Sequence, residues 1–243
     1  MQPSMRPTEG NAFLASLSDV DQQHLAPHLR DVPLRLHTVL IKPNENIEFV
    51  YFPSEGMVSV VTELQNGQIV ETGIHGREGV VGSSVIASPH AFEHSIVQVE
   101  GAGRRLPAKV FIEAYKRSPA FQDLVNKHHL LLWVHAQQTA ACNASHTVRQ
   151  RLARWLLTTR DWISSDELPL TQEYMSQMLG VQRTTVTLEM SNFKKAGLVE
   201  SRRGRTMLID IEGLQARACE CCSVIKARRD ELSPKGRDAR QSN

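Results

Sequence analysis

Long apolar runs, cysteines and catalytic constellations are all scarce in this chain, and each scarcity removes a class of protein. No apolar run comes near the roughly 18 residues that a membrane-spanning helix needs, and the opening MQPSMRPTEGN is too polar for a secretory signal. A cytoplasmic protein without membrane contact is therefore expected. The four cysteines, Cys142, Cys219, Cys221 and Cys222, form no evenly spaced framework, so reduced thiols are expected rather than disulfides. The Cys219-x-Cys221-Cys222 group lacks a second ligand pair at a recognised spacing. A structural or incidental role is preferred there, and neither a metal nor a cofactor is expected. No Ser/His/Asp set, close carboxylate pair or metal triad occurs at motif spacing, so the chain is not expected to be an enzyme.

With 41% hydrophobic and 22% charged residues the composition is that of an ordinary soluble globular protein, and 243 residues suggest two domains. The net charge of +2 hides an asymmetry. Residues 1–145 carry 11 Lys and Arg against 14 Asp and Glu, a balance of −3; residues 146–243 carry 17 against 12, a balance of +5. The basic half is the one to search for a nucleic-acid interface.

That half contains TQEYMSQMLGVQRTTVTLEMSNFKKAGLVESRRGRTMLID at residues 171–210. Met175 and Leu179 lie one turn apart on a first helix, with small Ser176 beside them where a second helix can cross closely. Gly180 supplies the positive backbone dihedral that ends the helix. A second helix starts near Gln182 or Arg183 and buries Val186, Met190 and Phe193 at helical spacing. Arg183, Thr184, Thr187, Leu188 and Ser191 then point outward. A helix led by a guanidinium and hydroxyls, with no carboxylate on its first outward turn, suits a DNA major groove. Two strand-like segments, residues 198–201 and 207–211, flank a turn carrying Arg202, Arg203 and Arg205, well placed for a phosphate backbone. A helix-turn-helix followed by a basic hairpin is a winged helix.

Upstream, AFLASLSDVDQQHLAPHL reads as one or two short helices, with Ser18 as a cap and Pro27 as a break. From Leu34 the period changes to that of strands: LRLHTVLI, FVYF, MVSVVTEL, QIVETGI, SIVQVEG and RRLPA. Asn66-Gly67 signals a two-residue hairpin turn. No crossover helix separates these runs, so a small antiparallel barrel or roll is expected. Within it, Gly82, Ser83 and Ser84 end a glycine-bearing segment whose amides and hydroxyls are candidates for cradling an anionic effector. No lysine or helix start follows the glycines, which excludes a nucleoside-triphosphate P-loop. Residues 121–145 contain no proline or glycine and read as one long helix. Leu124, His128, Leu131, His135, Gln138 and Cys142 recur on it at alternating steps of three and four, the spacing of a helix that pairs with its twin. The histidines are read as seam or surface groups rather than metal ligands. HTVRQRLARWLLTTRDWI follows as another helix, with Leu152, Trp155, Leu156 and Ile163 packing onto the winged helix.

In this order, and in VYFPSEGMVSVV, GREGVVG, ACNASHTVRQRLARWLL, LPLTQEYMSQMLGVQRTTVT, AGLVESRRGR and ACECC, the chain resembles the Crp/Fnr superfamily of bacterial transcription regulators from about residue 11 to 222. The resemblance implies an α+β architecture: a cyclic-nucleotide-binding-like β-roll at 11–120, a dimerisation helix at 121–146, a winged helix-turn-helix at 147–222, and a flexible tail at 223–243. It implies a homodimer that reads a near-palindromic double-stranded DNA site, with RNA polymerase as a further partner if the protein is an activator. Arg183 matches the family's guanine-reading arginine, and Thr171 and Thr185 match hydroxyls that hold phosphates; Gln172 joins this DNA-facing set. Thr184 and Leu188 stand where the cyclic-AMP receptor has a glutamate and an arginine, so a different half-site is expected, with Leu188 against a thymine methyl. Gln182 replaces the serine usual at the cap of this helix. Ser83 stands where the ribose-binding glutamate is found, and HAFEHSIV offers only His90 and His94 where the phosphate-binding arginine is found. Control by cyclic AMP is therefore not expected, and the effector is left open. No cysteine precedes Cys142, so the iron-sulfur ligands of the fumarate-nitrate regulator are missing. The alternative reading is a ligand-binding regulatory module that uses its winged helix for protein contacts.

Overall fold

The computed structural model describes residues 10–202 and 205–232. Contacts divide it into two units: the described parts of Met1–Val60, Ile74–Trp133 and Arg229–Asn243, and Val61–Gly73 with Val134–Arg228.

The first unit opens with α1 (Ala12–Ala15) and α2 (Asp19–Leu25). Ser18 caps α2, its hydroxyl accepting from the Asp21 N–H at 3.1 Å, and Pro27 lies in a 3-10 turn at Ala26–His28. Seven strands follow, with residues 61–63 of β4 and 69–73 of β5 grouping with the second unit: β1 (Arg30–Leu34), β2 (Val39–Ile41), β3 (Phe49–Pro53), β4 (Met57–Glu63), β5 (Ile69–His75), β6 (His94–Val99) and β7 (Gly101–Pro107). They form two sheets, ordered β1-β7-β3 and β2-β6-β4-β5. Pairing of β1 and β3 with β7, and of β2 with β6, is antiparallel. The run at 34–41, expected as one strand, is two strands in different sheets. His37 sits between them at φ 62°, and this left-handed residue redirects the chain. The turn at Asn66-Gly67 also differs from expectation. The Gly67 N–H donates to the Leu64 carbonyl and the Leu64 N–H to the Gln68 carbonyl, so the loop has an extra residue. A two-residue turn of this kind needs positive φ at both central residues, and here only Gly67 has it, at 78°.

The core of the first unit is aromatic: Phe13, Phe52, Phe111 and Phe121 are fully buried. Phe111 and Phe121 meet edge-on at 5.1 Å between centroids. Phe111 belongs to α3 (Ala108–Arg117) and Phe121 to α4 (Pro119–Ser145). Pro119 begins α4 rather than ending α3, as suits its fixed φ and missing N–H, and the Ser118 hydroxyl caps the helix by accepting from the Phe121 N–H.

The second unit contains α5 (Val148–Ile163), β8 (Glu167–Leu168), α6 (Gln172–Leu179), α7 (Arg183–Lys195), β9 (Val199–Arg202), β10 (Arg205–Leu208), α8 (Ile211–Gln215) and most of α9 (Cys221–Leu232). A reciprocal Thr147–Gln150 capping box starts α5. Leu152, Trp155 and Leu156 of α5 are buried with Met175, Leu179, Val186, Met190 and Phe193, as the periodicity predicts; Ile163 is only half-buried. The Trp155 indole N–H donates to the Glu71 carboxylate at 2.8 Å. The hairpin forms a three-stranded sheet, β8-β10-β9. Its last strand is shorter than expected, because the Asp210 carboxylate accepts from the Gly213 N–H and starts α8. The segment expected to be a flexible tail is partly ordered: residues up to Leu232 lie in α9, where Ile225 is buried and Arg229 stands 3.7 Å from Glu78.

On α4 the expected pairing stripe is out of phase. His128, His135 and Cys142 are buried against their own chain, Leu124, Leu131 and Gln138 are half-buried, and the His128 imidazole bonds the Val80 carbonyl at 3.1 Å. A second stripe, Asn126, Leu130, Trp133, Gln137, Ala140 and Ala144, is exposed, with Trp133 63% accessible. Apolar residues occupy both flanks of α4, so spacing alone does not say which flank is free. Among the described residues no helix is long and apolar enough to cross a membrane.

Candidate nucleic-acid interface

The turn between α6 and α7 sets the geometry of this face. Thr171 caps α6, its hydroxyl accepting from the Tyr174 N–H at 3.2 Å. Gly180 ends α6 at φ 64°, and a Cβ there would stand 3.0 Å from Val70 Cγ2. Arg151, buried on α5, donates to the Leu179 carbonyl and so satisfies one of the orphan acceptors at the end of α6. Gln182 precedes α7 without a side-chain capping bond, which leaves the first amides of α7 uncapped by any side chain.

With Val186, Met190 and Phe193 buried, α7 presents Arg183, Thr184, Thr187, Leu188 and Ser191 to solvent. Thr185 is half-buried. The Thr187 hydroxyl donates to Gln172 Oε1 at 2.8 Å, fixing two of the expected DNA-facing groups against each other. Leu188 is 61% exposed, an isolated apolar group on an otherwise polar surface.

Sequence reasoning missed the acidic partners of these cations. Arg183 Nη1 lies 3.4 Å from Glu173 Oε2, and Arg205 Nη1 lies 3.0 Å from Glu167 Oε1. Arg149 on α5 meets Glu189 on α7 at 2.7 Å. Exposed pairs of this kind contribute about 0–1 kcal/mol, so a phosphate or base competes readily for the arginine. Glu167 and Glu189 lie 38 and 40 residues from their partners and Glu173 lies in the preceding helix, so no local spacing reports these pairs. The side chain of Arg202, and all of Arg203, lie outside the described residues.

The expected effector loop is arranged in the opposite sense. Gly82 and Ser83 are buried and Ser84 half-buried. The Gly82 N–H donates to Glu93 Oε1 at 3.1 Å, and the Ser83 hydroxyl is 3.0 Å from His129 Nε2. Burial pushes the Glu93 carboxyl up, with the Gly82 N–H pulling the other way. Burial holds the His128 imidazole well below its usual range, helped by His75 and His129. The expectation of an open cradle is thus corrected: two of its three residues face inward, because an internal carboxylate takes the amide and an internal imidazole takes the hydroxyl. A cleft of about 650 Å³ does open on the roll, but it is lined by Lys42, Glu45, Glu48, Tyr51 and their neighbours rather than by Gly82–Ser84.

A β-roll followed by a long helix and a winged helix-turn-helix makes a two-part architecture. Residues 150–217 match the Crp-like helix-turn-helix domain. A transcriptional regulatory protein of Bordetella pertussis, btr, is 25% identical over 72% of this chain and 76% of its own length. Among solved structures, FixK2 from Bradyrhizobium japonicum superposes at TM-score 0.68, with 17% identity, covering 79% of this chain and 98% of that one. The c-di-GMP responsive global regulator CLP of Xanthomonas campestris gives 0.67 at 14% identity, covering 79% and 100%. Residues 150–217 are thus a Crp-like helix-turn-helix domain, and the chain as a whole has the fold of the Crp/Fnr-family structures.

Proposed function

We propose that the protein acts as a homodimer, reads a near-palindromic DNA site through α7, and is not controlled by cyclic AMP. The observation that carries the DNA reading is the split face of α7: an apolar stripe buried against α5 and α6, and an outward stripe led by Arg183 with hydroxyls behind it. Arg183 has the reach and planar donors to bond O6 and N7 of a guanine, Leu188 supplies a thymine-methyl contact, and Thr171 with the uncapped amides of α7 holds phosphates. The dimer uses the outward stripe of α4, centred on Leu130 and Trp133, and sets the two copies of α7 about 34–36 Å apart, one turn of the duplex.

Independence from cyclic AMP is supported by Glu93, which puts a carboxyl on the loop amide that a cyclic phosphate would need. HAFEHSIV provides no arginine to offset it. Each missing charge-assisted bond removes about 1.5–3 kcal/mol of binding.

A mobility-shift experiment on the protein's own promoter-bound fragments, recovered by genome-wide footprinting, tests the reading. Arg183→Ala should cost about 1–3 kcal/mol of specific affinity and relax the preference at one base pair of each half-site. Unchanged affinity and preference would sink it.

A further inference from the structure

Four donor groups that play no part in reading DNA meet at one point. Cys142 lies in the last turn of α4 and His146 directly after it; Cys219 and Cys221 flank the turn into α9. One ligand atom from each, three sulfurs and one imidazole nitrogen, lies within 4.8 Å of the others. Cys142 Sγ and Cys219 Sγ are 3.5 Å apart, and Cys221 Sγ is 3.7 Å from His146 Nδ1. A tetrahedral centre with sulfur at about 2.3 Å and imidazole nitrogen at about 2.0 Å separates its ligand atoms by about 3.5–3.8 Å. Small side-chain rotations bring the whole set to that spacing.

Buried thiols also cluster simply as small apolar groups, and three observations separate this cluster from that case. First, His146 turns Nδ1 toward the thiols while its Nε2 lies 3.2 Å from Glu220 Oε2. A carboxylate behind a ligating imidazole is the arrangement that fixes ring orientation at metal sites. Second, Gln138 Nε2 donates to Cys221 Sγ at 3.0 Å, a bond that favours a thiolate over a thiol. Third, Arg151 and Arg154 are 8% and 5% exposed, both couple electrostatically to the cysteines, and the Nε of each has no hydrogen-bond partner among the described residues. Two buried guanidinium groups beside neutral thiols are poorly compensated. Three thiolates around a divalent cation carry one net negative charge, which offsets one of the two guanidinium charges that neutral thiols leave wholly uncompensated.

We propose that Cys142, His146, Cys219 and Cys221 bind one Zn²⁺ in a closed, structural site that ties the C-terminal end of α4 to the segment leading into α9. Three soft thiolates and an imidazole in four-coordinate geometry, with no position left for water, suit zinc better than magnesium, calcium or manganese. The site escapes a search by spacing because Cys142 and His146 precede the winged helix in sequence and Cys219 and Cys221 follow it.

The test uses the full chain, reduced and stripped with a chelator, then titrated with Zn²⁺ or Co²⁺ alone. One equivalent per chain is expected, with Co²⁺ showing the visible bands of a tetrahedral thiolate site. Cys219→Ser should lose the bound equivalent, while Cys222→Ser should keep it. Glu220→Gln, which leaves all four ligands in place, should lower zinc affinity about 10- to 100-fold. The proposal is overturned if the reduced wild type takes up no metal, if Cys219→Ser binds as the wild type does, or if Cys222→Ser loses as much as Cys219→Ser. A Cys142–Cys219 disulfide in the isolated protein, with no uptake after its reduction, overturns it equally. Metal stoichiometry is read without DNA, so none of these outcomes bears on the DNA-binding proposal.

Discussion

The outer face of α7 and the loop at Gly82–Ser84 are built from the same materials, backbone amides and hydroxyls near a helix or turn, and they are finished in opposite ways. On α7 the first amides have no side-chain cap, and Arg183, Thr184 and Ser191 point into solvent. In the roll the corresponding groups are already bonded, Gly82 to Glu93 and Ser83 to His129. On α7 the cation is held only by an exposed, readily exchanged pair with Glu173, whereas in the roll the bonds are made to buried groups of the same chain. The function proposed above follows this contrast, with α7 left open to a partner and the loop of the roll closed on its own groups.

The largest effect that sharpens this contrast is expected on α4. If Trp133 lies in a two-fold seam, Trp133→Glu buries two uncompensated carboxylates and costs about 3–5 kcal/mol of association. Sedimentation should then report a monomer at concentrations where the wild type is a dimer, and cooperative binding to a two-half-site fragment should disappear. A variant that remains dimeric would move the seam to another surface and leave α7 without its two-fold partner. Next in size is the Arg183→Ala loss set out above.

How much of this was legible in the residues differs between the halves for physical reasons. In α6 and α7 a polar face opposes an apolar one, so Met175, Leu179, Val186, Met190 and Phe193 could be assigned inward by spacing, and Gly180 as the end of α6. On α4 both flanks are apolar, so spacing sets the period but not the phase, and His128, His135 and Cys142 are buried within their own chain. His37 split an apparently continuous strand because its left-handed dihedral is set by tertiary context rather than by residue type. Glu93, Glu167 and Glu173 act across loops or between elements, at separations no local pattern reports. His146 belongs to the same group: it opens the stretch that forms α5, and only the fold brings Cys219 and Cys221 to it.

A smaller effect is expected at the wing. Arg205 reaches solvent and is held by an exposed pair with Glu167. Arg205→Ala should weaken binding to specific and random duplexes alike and lower the slope of log affinity against log salt by about 0.9. A change of sequence preference with an unchanged slope would mean that the wing reads bases and would extend the reading face beyond α7.

The smallest effect tests the closed side of the comparison. Burial raises the Glu93 carboxyl above its ordinary value of 4.5, so the folded protein holds this proton more tightly than the unfolded chain does. Ionised Glu93 therefore costs stability, a cost absent below pH 4.5 that grows as pH rises through the folded-state value. Glutamine keeps an acceptor for the Gly82 N–H and removes the charge. Glu93→Gln should thus melt above the wild type at pH 7, and the gap should close as the pH falls toward 4.5. A lower melting temperature for the variant at pH 7 would mean that the carboxylate–amide bond outweighs desolvation, and that the loop depends on its internal anion. Calorimetry of both proteins against cyclic AMP then separates two reasons for a silent roll. Binding to neither places the deficit in the missing arginine, whereas binding to Glu93→Gln alone makes this one carboxylate the group that keeps the nucleotide out.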